Sequence, residues 1–346
     1  MLLRLRKTLT RAELEAVLGL ARELGYTTRF LDGGKELLAL DGVGAPDHRA
    51  RFEDLAGVAG ILDAGDAHEL FERRAGRPDT IVRVGDAAFG GGKVALVAGP
   101  CAVEDVESAL EIALAVRERG ATCMRGGAFK PRTSPYSFQG ARERGLEILA
   151  RVKLETGLAI VTEVLDPRDV GAVGEVADMF QIGSRNMQNS ALLIEVGKAK
   201  KPVLLKRGFA ATLREFLLAA EYVLAQGNDQ VVLCERGIRG FDPSTRNVLD
   251  VGAVAHLKRV THLPVVVDPS HASGRAELVR PLARAGLAAG ADGLIVEVHP
   301  HPEVTHSDGE QAIGYDAFGL VAADARAIAA LDGREVVAPR PLGAKR

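Results

Sequence analysis

The 346-residue chain has no Trp, 4 Tyr and 3 Cys, and neither sign of charge is in excess. The three cysteines, Cys101, Cys123 and Cys234, are widely spaced and form no C-x-x-C pair, which excludes a disulfide framework. Lys and Arg number 44 against 46 Asp and Glu, a net charge of -2 that argues against a general nucleic-acid-binding surface. No apolar run approaches the ~18 residues of a membrane span. The opening MLLRLRKTLTRAELE is basic but lacks the apolar stretch of a signal peptide, so no membrane or export segment is expected and the location is expected to be cytoplasmic. What remains is ordinary: 47% hydrophobic and 26% charged residues exclude a disordered chain.

At roughly 150 residues per domain, the length suggests two domains, or one large barrel with a small appendage. Residues 1–72 read as the appendage. Leu3 to Leu9 alternates apolar and basic residues, as a strand does. Thr10 and Glu13 form a capping box before a helix that Gly25 closes. TTRFLDG and ELLALDG read as two strands, DHRARFEDLAGVAG as a polar helix, and AHELFERR as a last strand. The order βαββαβ fits a ferredoxin-like module, a fold that pairs easily and often binds small effectors.

Residues 73–92 read as a linker and hairpin, TIVRVGD and AAFGGG. Those glycines precede a strand rather than open a helix, so they do not form a phosphate loop. Residues 93–336 then repeat βα units, and 337–346 form a tail. Eight apolar runs appear: VALVAG, TCMRG, AIVTEV, MFQIG, PVLLKRG, VVLCERG, PVVVDPS and GLIVEVHP. Buried parallel strands read as continuous apolar runs. Eight such units over ~250 residues predict a (β/α)8 TIM barrel. The lack of G-x-G-x-x-G after the first strand argues against an open doubly wound sheet.

In a TIM barrel, chemistry lies at the C-terminal strand ends. Those ends supply Cys101, Arg125, Glu163, Arg185, Lys206, Arg207, Arg236, Asp268, His271, Glu297 and Asp308, and the second loop adds Lys130, Arg132 and Thr133. Arg125, Lys130, Arg132, Arg185, Lys206 and Arg236 form a cation cluster that calls for phosphate or carboxylate ligands. Cys101, His271, Glu297 and Asp308 offer one thiolate, one imidazole and two carboxylates, a set suited to a borderline divalent ion. From the residues alone, the alternative stays open that Cys101 is a small apolar side chain, His271 a helix cap and Glu297 a barrel ion pair. Cys123 and Cys234 sit inside strands and read as core. His299, His301 and His306 crowd the last loop, where solvated histidines are the plainer reading.

AGPCAVE, MRGGAFKPRTSPYSFQG, TEV, QIGSRNMQN, LLKRG, ERGIRGF, TRN, VDPSHASG, EVHP and SDGEQ follow in order. From about Gly90 to Leu331 the chain closely resembles the 3-deoxy-D-arabino-heptulosonate 7-phosphate (DAHP) synthases, and residues 1–72 resemble the ferredoxin-like extension of their type I beta branch. The resemblance implies condensation of phosphoenolpyruvate (PEP) with erythrose 4-phosphate, in the shikimate pathway, with release of phosphate. It implies metal binding (Mn, Fe, Co or Zn) by Cys101, His271, Glu297 and Asp308, and PEP binding by Arg125, Lys130, Arg185, Lys206 and Arg236. Arg132, Thr133 and Ser134 would hold the erythrose 4-phosphate, with Glu163 near the attacking water. The catalytic candidates are thus Lys130, Glu163, Cys101 and His271. A homotetramer and a Tyr or Phe effector are also implied. KPRTS speaks against the sister synthases that use arabinose 5-phosphate. A metal-dependent aldolase on the same barrel is the other rival. Ser184, where Ala is expected, departs from the pattern, as do His301 and His306.

Overall fold

The computed structural model describes residues 1–6, 8–30, 37–41, 48–62, 69–74, 76–131, 136, 138–301 and 309–342. They form two compact units, Met1–Glu72 with Ala225–Gly227, and Arg73–Leu224 with Asn228–Arg346.

In the first unit the order is β1 (Leu2–Leu5), α1 (Arg11–Glu23), β2 (Thr27–Phe30), β3 (Leu37–Asp41), α2 (Arg49–Glu53) and β4 (Val58–Leu62). The strands pair antiparallel in the order β2-β3-β1-β4. The capping box forms: the Glu13 amide donates to Thr10 Oγ1 at 3.3 Å, and the Thr10 amide donates to Glu13 Oε2 at 2.8 Å. Strand alternation places Leu3, Leu5, Leu38 and Leu40 in one core, with Val17 and Ala21 of α1 and Phe52 of α2. One expectation fails here. The polar helix ends at Glu53, and the last strand is Val58–Leu62, not AHELFERR. Residues 69–74 of that segment form turns and irregular chain, and its first two residues lie outside the described ones. Gly57 and Gly60 weaken a helix there, whereas Val58 and Ile61 pair with Leu5 and Leu3 of β1.

The second unit opens with the expected hairpin, β5 (Val82–Val84) and β6 (Ala87–Phe89). The series then runs β7 (Lys93–Gly99), α3 (Val106–Glu118), β8 (Cys123–Arg125), α4 (Arg142–Thr156), β9 (Ala159–Glu163), α5 (Val170–Val176), β10 (Met179–Ile182), α6 (Ser190–Lys198), β11 (Val203–Lys206) and α7 (Leu213–Leu224). It continues with β12 (Val231–Glu235), α8 (Val251–Val260), β13 (Val265–Val267), α9 (Pro269–Ser273), α10 (Ala276–Ala288), β14 (Gly293–Glu297), α11 (Tyr315–Leu331) and β15 (Glu335–Val336). Strands β7 to β14 are parallel, and β14 pairs back onto β7 to close an eight-stranded barrel. β15 adds to β7 near its start, with Glu335 opposite Lys93.

Inward residues of all eight strands form one dry cluster with the hairpin: Ala95, Val97, Cys123, Ala159, Val161, Met179, Leu204, Val232, Cys234, Val266 and Ile295 meet Val82, Val84, Ala87 and Phe89. A Cβ at Gly85 of the hairpin turn would come 3.0 Å from the Ala159 Cβ at the start of β9. The hairpin therefore closes the N-terminal end of the barrel, and only the other end is left for chemistry.

Candidate active site

The site follows from one strand rule. Side chains two residues apart share a face of a strand. Stepping two residues on from Cys123, Val161, Met179, Leu204, Cys234, Val266 and Ile295 gives Arg125, Glu163, Gln181, Lys206, Arg236, Asp268 and Glu297. All seven are buried. On β7 the step from Val97 gives Gly99, whose Cβ would lie 2.1 Å from the Arg125 carbonyl oxygen. A glycine is needed for β7 and β8 to approach there, and Cys101 follows two residues later.

Three of the four proposed metal ligands meet, and the fourth, Asp308, lies outside the described residues. One ligand atom each from Cys101, His271 and Glu297 lie within 4.8 Å of one another. His271 stands on α9, and its amide donates to Asp268 Oδ1 at 2.9 Å, so the turn after β13 fixes it as the start of a short helix. Asp268 Oδ2 lies 2.8 Å from His271 Nδ1, and His271 Nε2 faces Glu297 Oε1 at 3.3 Å. Burial pushes the imidazole pKa down, which favours the neutral, ligating form. Burial would raise the Asp268 carboxyl, but His271 and Lys206 hold it well below the usual carboxylate range. Lys206 Nζ donates to Asp268 Oδ2 at 2.6 Å.

Glu297 is held on both oxygens. Arg125 Nη1 donates to Oε1 at 2.6 Å, and Gln311 Nε2 donates to Oε2 at 2.5 Å. Arg246 Nη1 in turn donates to Gln311 Oε1 at 2.9 Å, which fixes which way the amide faces. Lys130 Nζ donates to Cys101 Sγ and to the Cys101 carbonyl oxygen, both at 3.0 Å. Glu163 accepts from Gln181 Nε2 at 3.4 Å. Burial raises the Glu163 carboxyl against the opposing pull of Lys130, Lys206, Arg125 and Arg185. A Cβ at Gly183 would lie 2.0 Å from Glu163 Oε1, so that glycine makes room for the carboxyl group.

Arg185 follows β10 in the turn Ser184–Asn186 and is exposed, while Arg236 follows β12 and is buried. Burial lowers the Arg236 pKa, as for a cation without close neutralisation. Ser184 has a buried hydroxyl without a hydrogen-bond partner. Arg207 does not join the cluster. It lies next to inward Lys206 and so points outward, where its guanidinium pairs with Glu235 at 2.9 Å and Asp250 at 3.0 Å. Cys123 and Cys234 are buried core, and burial pushes both thiols far up, out of the reactive range. Arg132, Thr133, Ser134, Asp308 and His306 lie outside the described residues. Sequence reading missed Gln181, Gln311 and Phe209, the last stacked against Arg185, Arg236 and Arg239. For Gln181 the two-residue step from Met179 was the available signal.

Parallel strands closed into a barrel, with a cluster of buried ionic groups at their C-terminal ends, define the class: a TIM-barrel enzyme. Comparison with known proteins narrows it. Residues 77–328 match the model of the DAHP synthetase I family. A phospho-2-dehydro-3-deoxyheptonate aldolase of Thermotoga maritima is 48% identical over 268 residues, 78% of this chain and 79% of that protein. A crystal structure of the Thermotoga maritima enzyme (DAHP synthase) superimposes with a TM-score of 0.76 at 42% identity, covering 97% of this chain and 98% of that one. A 2-dehydro-3-deoxyphosphooctonate aldolase of Syntrophotalea carbinolica is more distant, 35% identical over 69% of this chain and 92% of its own. The chain belongs to the DAHP synthetase I family and is an enzyme of that family. Among the described residues no helix is long and apolar enough to cross a membrane.

Proposed function

We propose that the protein condenses PEP with erythrose 4-phosphate, adds water and releases phosphate, acting as a DAHP synthase. The observation that carries this reading is the meeting of Cys101, His271 and Glu297 beside Arg125, Lys130 and Lys206, in a chain that matches the family over residues 77–328. Arg125, Lys130, Arg185, Lys206 and Arg236 hold the carboxylate and phosphate of PEP. Arg132, Thr133 and Ser134 hold the phosphate of erythrose 4-phosphate, and so bring the aldehyde carbon to C3 of PEP. Holding two anions together supplies much of the rate by positioning and charge neutralisation. As C3 of PEP bonds to the aldehyde carbon, the aldehyde oxygen becomes a hydroxyl and water adds at C2, with Glu163, its carboxyl raised by burial, or Lys130 taking the water's proton and returning it to that oxygen. Loss of phosphate from the resulting hemiketal completes the reaction.

Cys101, His271 and Glu297, with Asp308 as fourth ligand, would hold one divalent ion, and the donor set fits Mn, Fe, Co or Zn. The chemistry such an ion supplies when bound is Lewis-acid polarisation of the aldehyde oxygen. The domains follow as residues 1–72, 73–92, 93–336 and 337–346, with the first a ferredoxin-like regulatory or assembly module of the type I beta kind. A homotetramer inhibited by Tyr or Phe belongs to the same reading, with no nucleic acid or membrane partner and a cytoplasmic location. The test is PEP-dependent phosphate release by the full chain, with erythrose 4-phosphate or arabinose 5-phosphate as acceptor. Turnover with the former supports the proposal, and turnover only with the latter refutes the acceptor. Tyr or Phe added to the same assay should inhibit, and no response to either removes the effector.

A further inference from the structure

We propose that Phe209 is a positioning residue for PEP: its ring orients the guanidinium groups of Arg185 and Arg236 toward one anion. This rests on the reading that those two arginines hold PEP. Three guanidinium carbons surround the single ring, Arg236 at 4.8 Å from its centroid, Arg239 at 5.3 Å and Arg185 at 5.5 Å. All lie inside the ~6 Å reach of a cation–π interaction. They come from the ends of β10 and β12, and Phe209 comes from the end of β11 between them. Among the described residues no carboxylate forms an ion pair with any of the three. A carboxylate partner would orient a guanidinium but neutralise it, and would compete with the substrate. The face of an aromatic ring orients it and leaves the charge free. Three cations around one neutral ring repel one another until a polyanion arrives, which is the state wanted of a site that must capture PEP.

The ring itself is fixed through its backbone. The Phe209 carbonyl accepts from the Arg239 amide at 2.7 Å, tying this loop to the one that carries Arg236. The preceding Gly208 amide contacts Met187 Sδ at 3.0 Å, on the segment that carries Arg185. The three loops thus converge on one residue that carries no charge.

The experiment is steady-state kinetics together with calorimetric binding of PEP in the absence of acceptor. Phe209→Leu should raise both the KM and the Kd for PEP about tenfold, with kcat within about twofold and the KM for erythrose 4-phosphate unchanged. Phe209→Tyr, which keeps the ring face, should restore PEP affinity. Phe209→Met, unbranched and more adaptable in packing, serves if the Leu variant does not fold. Unchanged PEP affinity in the folded Leu or Met variant overturns the proposal, as does an equal loss for both substrates. Arg236→Gln separates the two levels: if it leaves PEP affinity intact the underlying reading fails, and if it weakens PEP while Phe209→Leu does not, only the ring's role fails.

Discussion

Two residues along a strand separate the closed end of this barrel from its chemical end. Val161 and Glu163, Leu204 and Lys206, Val266 and Asp268, and Ile295 and Glu297 share an inward face. The first member of each pair packs against its neighbours and the hairpin in a cluster of nonpolar side chains. The second is ionisable and answers to named partners: Glu297 to Arg125, Lys206 to Asp268, Glu163 to Gln181. The lower layer is stabilised by burial and close packing, at about 25 cal/mol per Å² of apolar surface removed from water. The upper layer costs desolvation that its ion pairs offset only in part, and natural chains retain such groups where they serve chemistry. The contrast predicts that substitutions in the upper layer chiefly remove rate, with a folding cost where they leave a buried partner unpaired, and that those in the lower layer chiefly remove stability.

The largest effect should come from Cys101→Ala. Removing a proposed metal ligand would forfeit several kcal/mol of charge stabilisation, so turnover should fall about 10³-fold while the melting temperature hardly moves. Kinetics and thermal unfolding on the same sample check both halves. The mirror-image change is Phe89→Ala in the hairpin, which should cost about 3–5 kcal/mol of stability and leave kcat unaltered where the protein is folded. Denaturant unfolding measures it, and a variant of native stability but low kcat would break the contrast.

Glu163→Gln should lower kcat by about 10²-fold, the usual scale of a general base. Because burial raises its carboxyl, the acidic limb of the wild-type profile should lie above the ordinary carboxylate range. Activity falls as pH drops through that value, since the protonated acid cannot accept a proton, and the limb should vanish in the Gln variant. The smallest effect is at Gln311, which touches Glu297 rather than substrate. Gln311→Ala should weaken divalent-ion affinity by about tenfold, and titration calorimetry with Mn reads it directly.

The barrel was legible in the sequence because strands buried on both sides read as uninterrupted apolar runs, and all eight did. The charged half of the site was legible because an inward-facing ionisable residue at the end of such a run is buried at a cost that packing alone does not explain. Neutral partners gave no such signal. Gln181 carries no charge, Gln311 reaches Glu297 only through the fold, and Phe209 is one apolar residue after a glycine. Arg207 shows the converse: its charge suggested the site, while its place next to inward Lys206 already assigned it to the other face. In the first unit, short elements made LAGVAG resemble a helix turn, and only pairing with β1 shows Val58–Leu62 as a strand.

The central claim is that Cys101, His271 and Glu297 bind one ion on which turnover depends. The direct measurement is Mn binding and phosphate release from PEP with erythrose 4-phosphate, for the full chain after chelation and after Mn is restored, beside Cys101→Ala. The account predicts one bound ion per chain, activity abolished by the chelator and recovered with Mn, and neither binding nor recovery in the variant. Full activity in the chelated protein, or in Cys101→Ala, would contradict it.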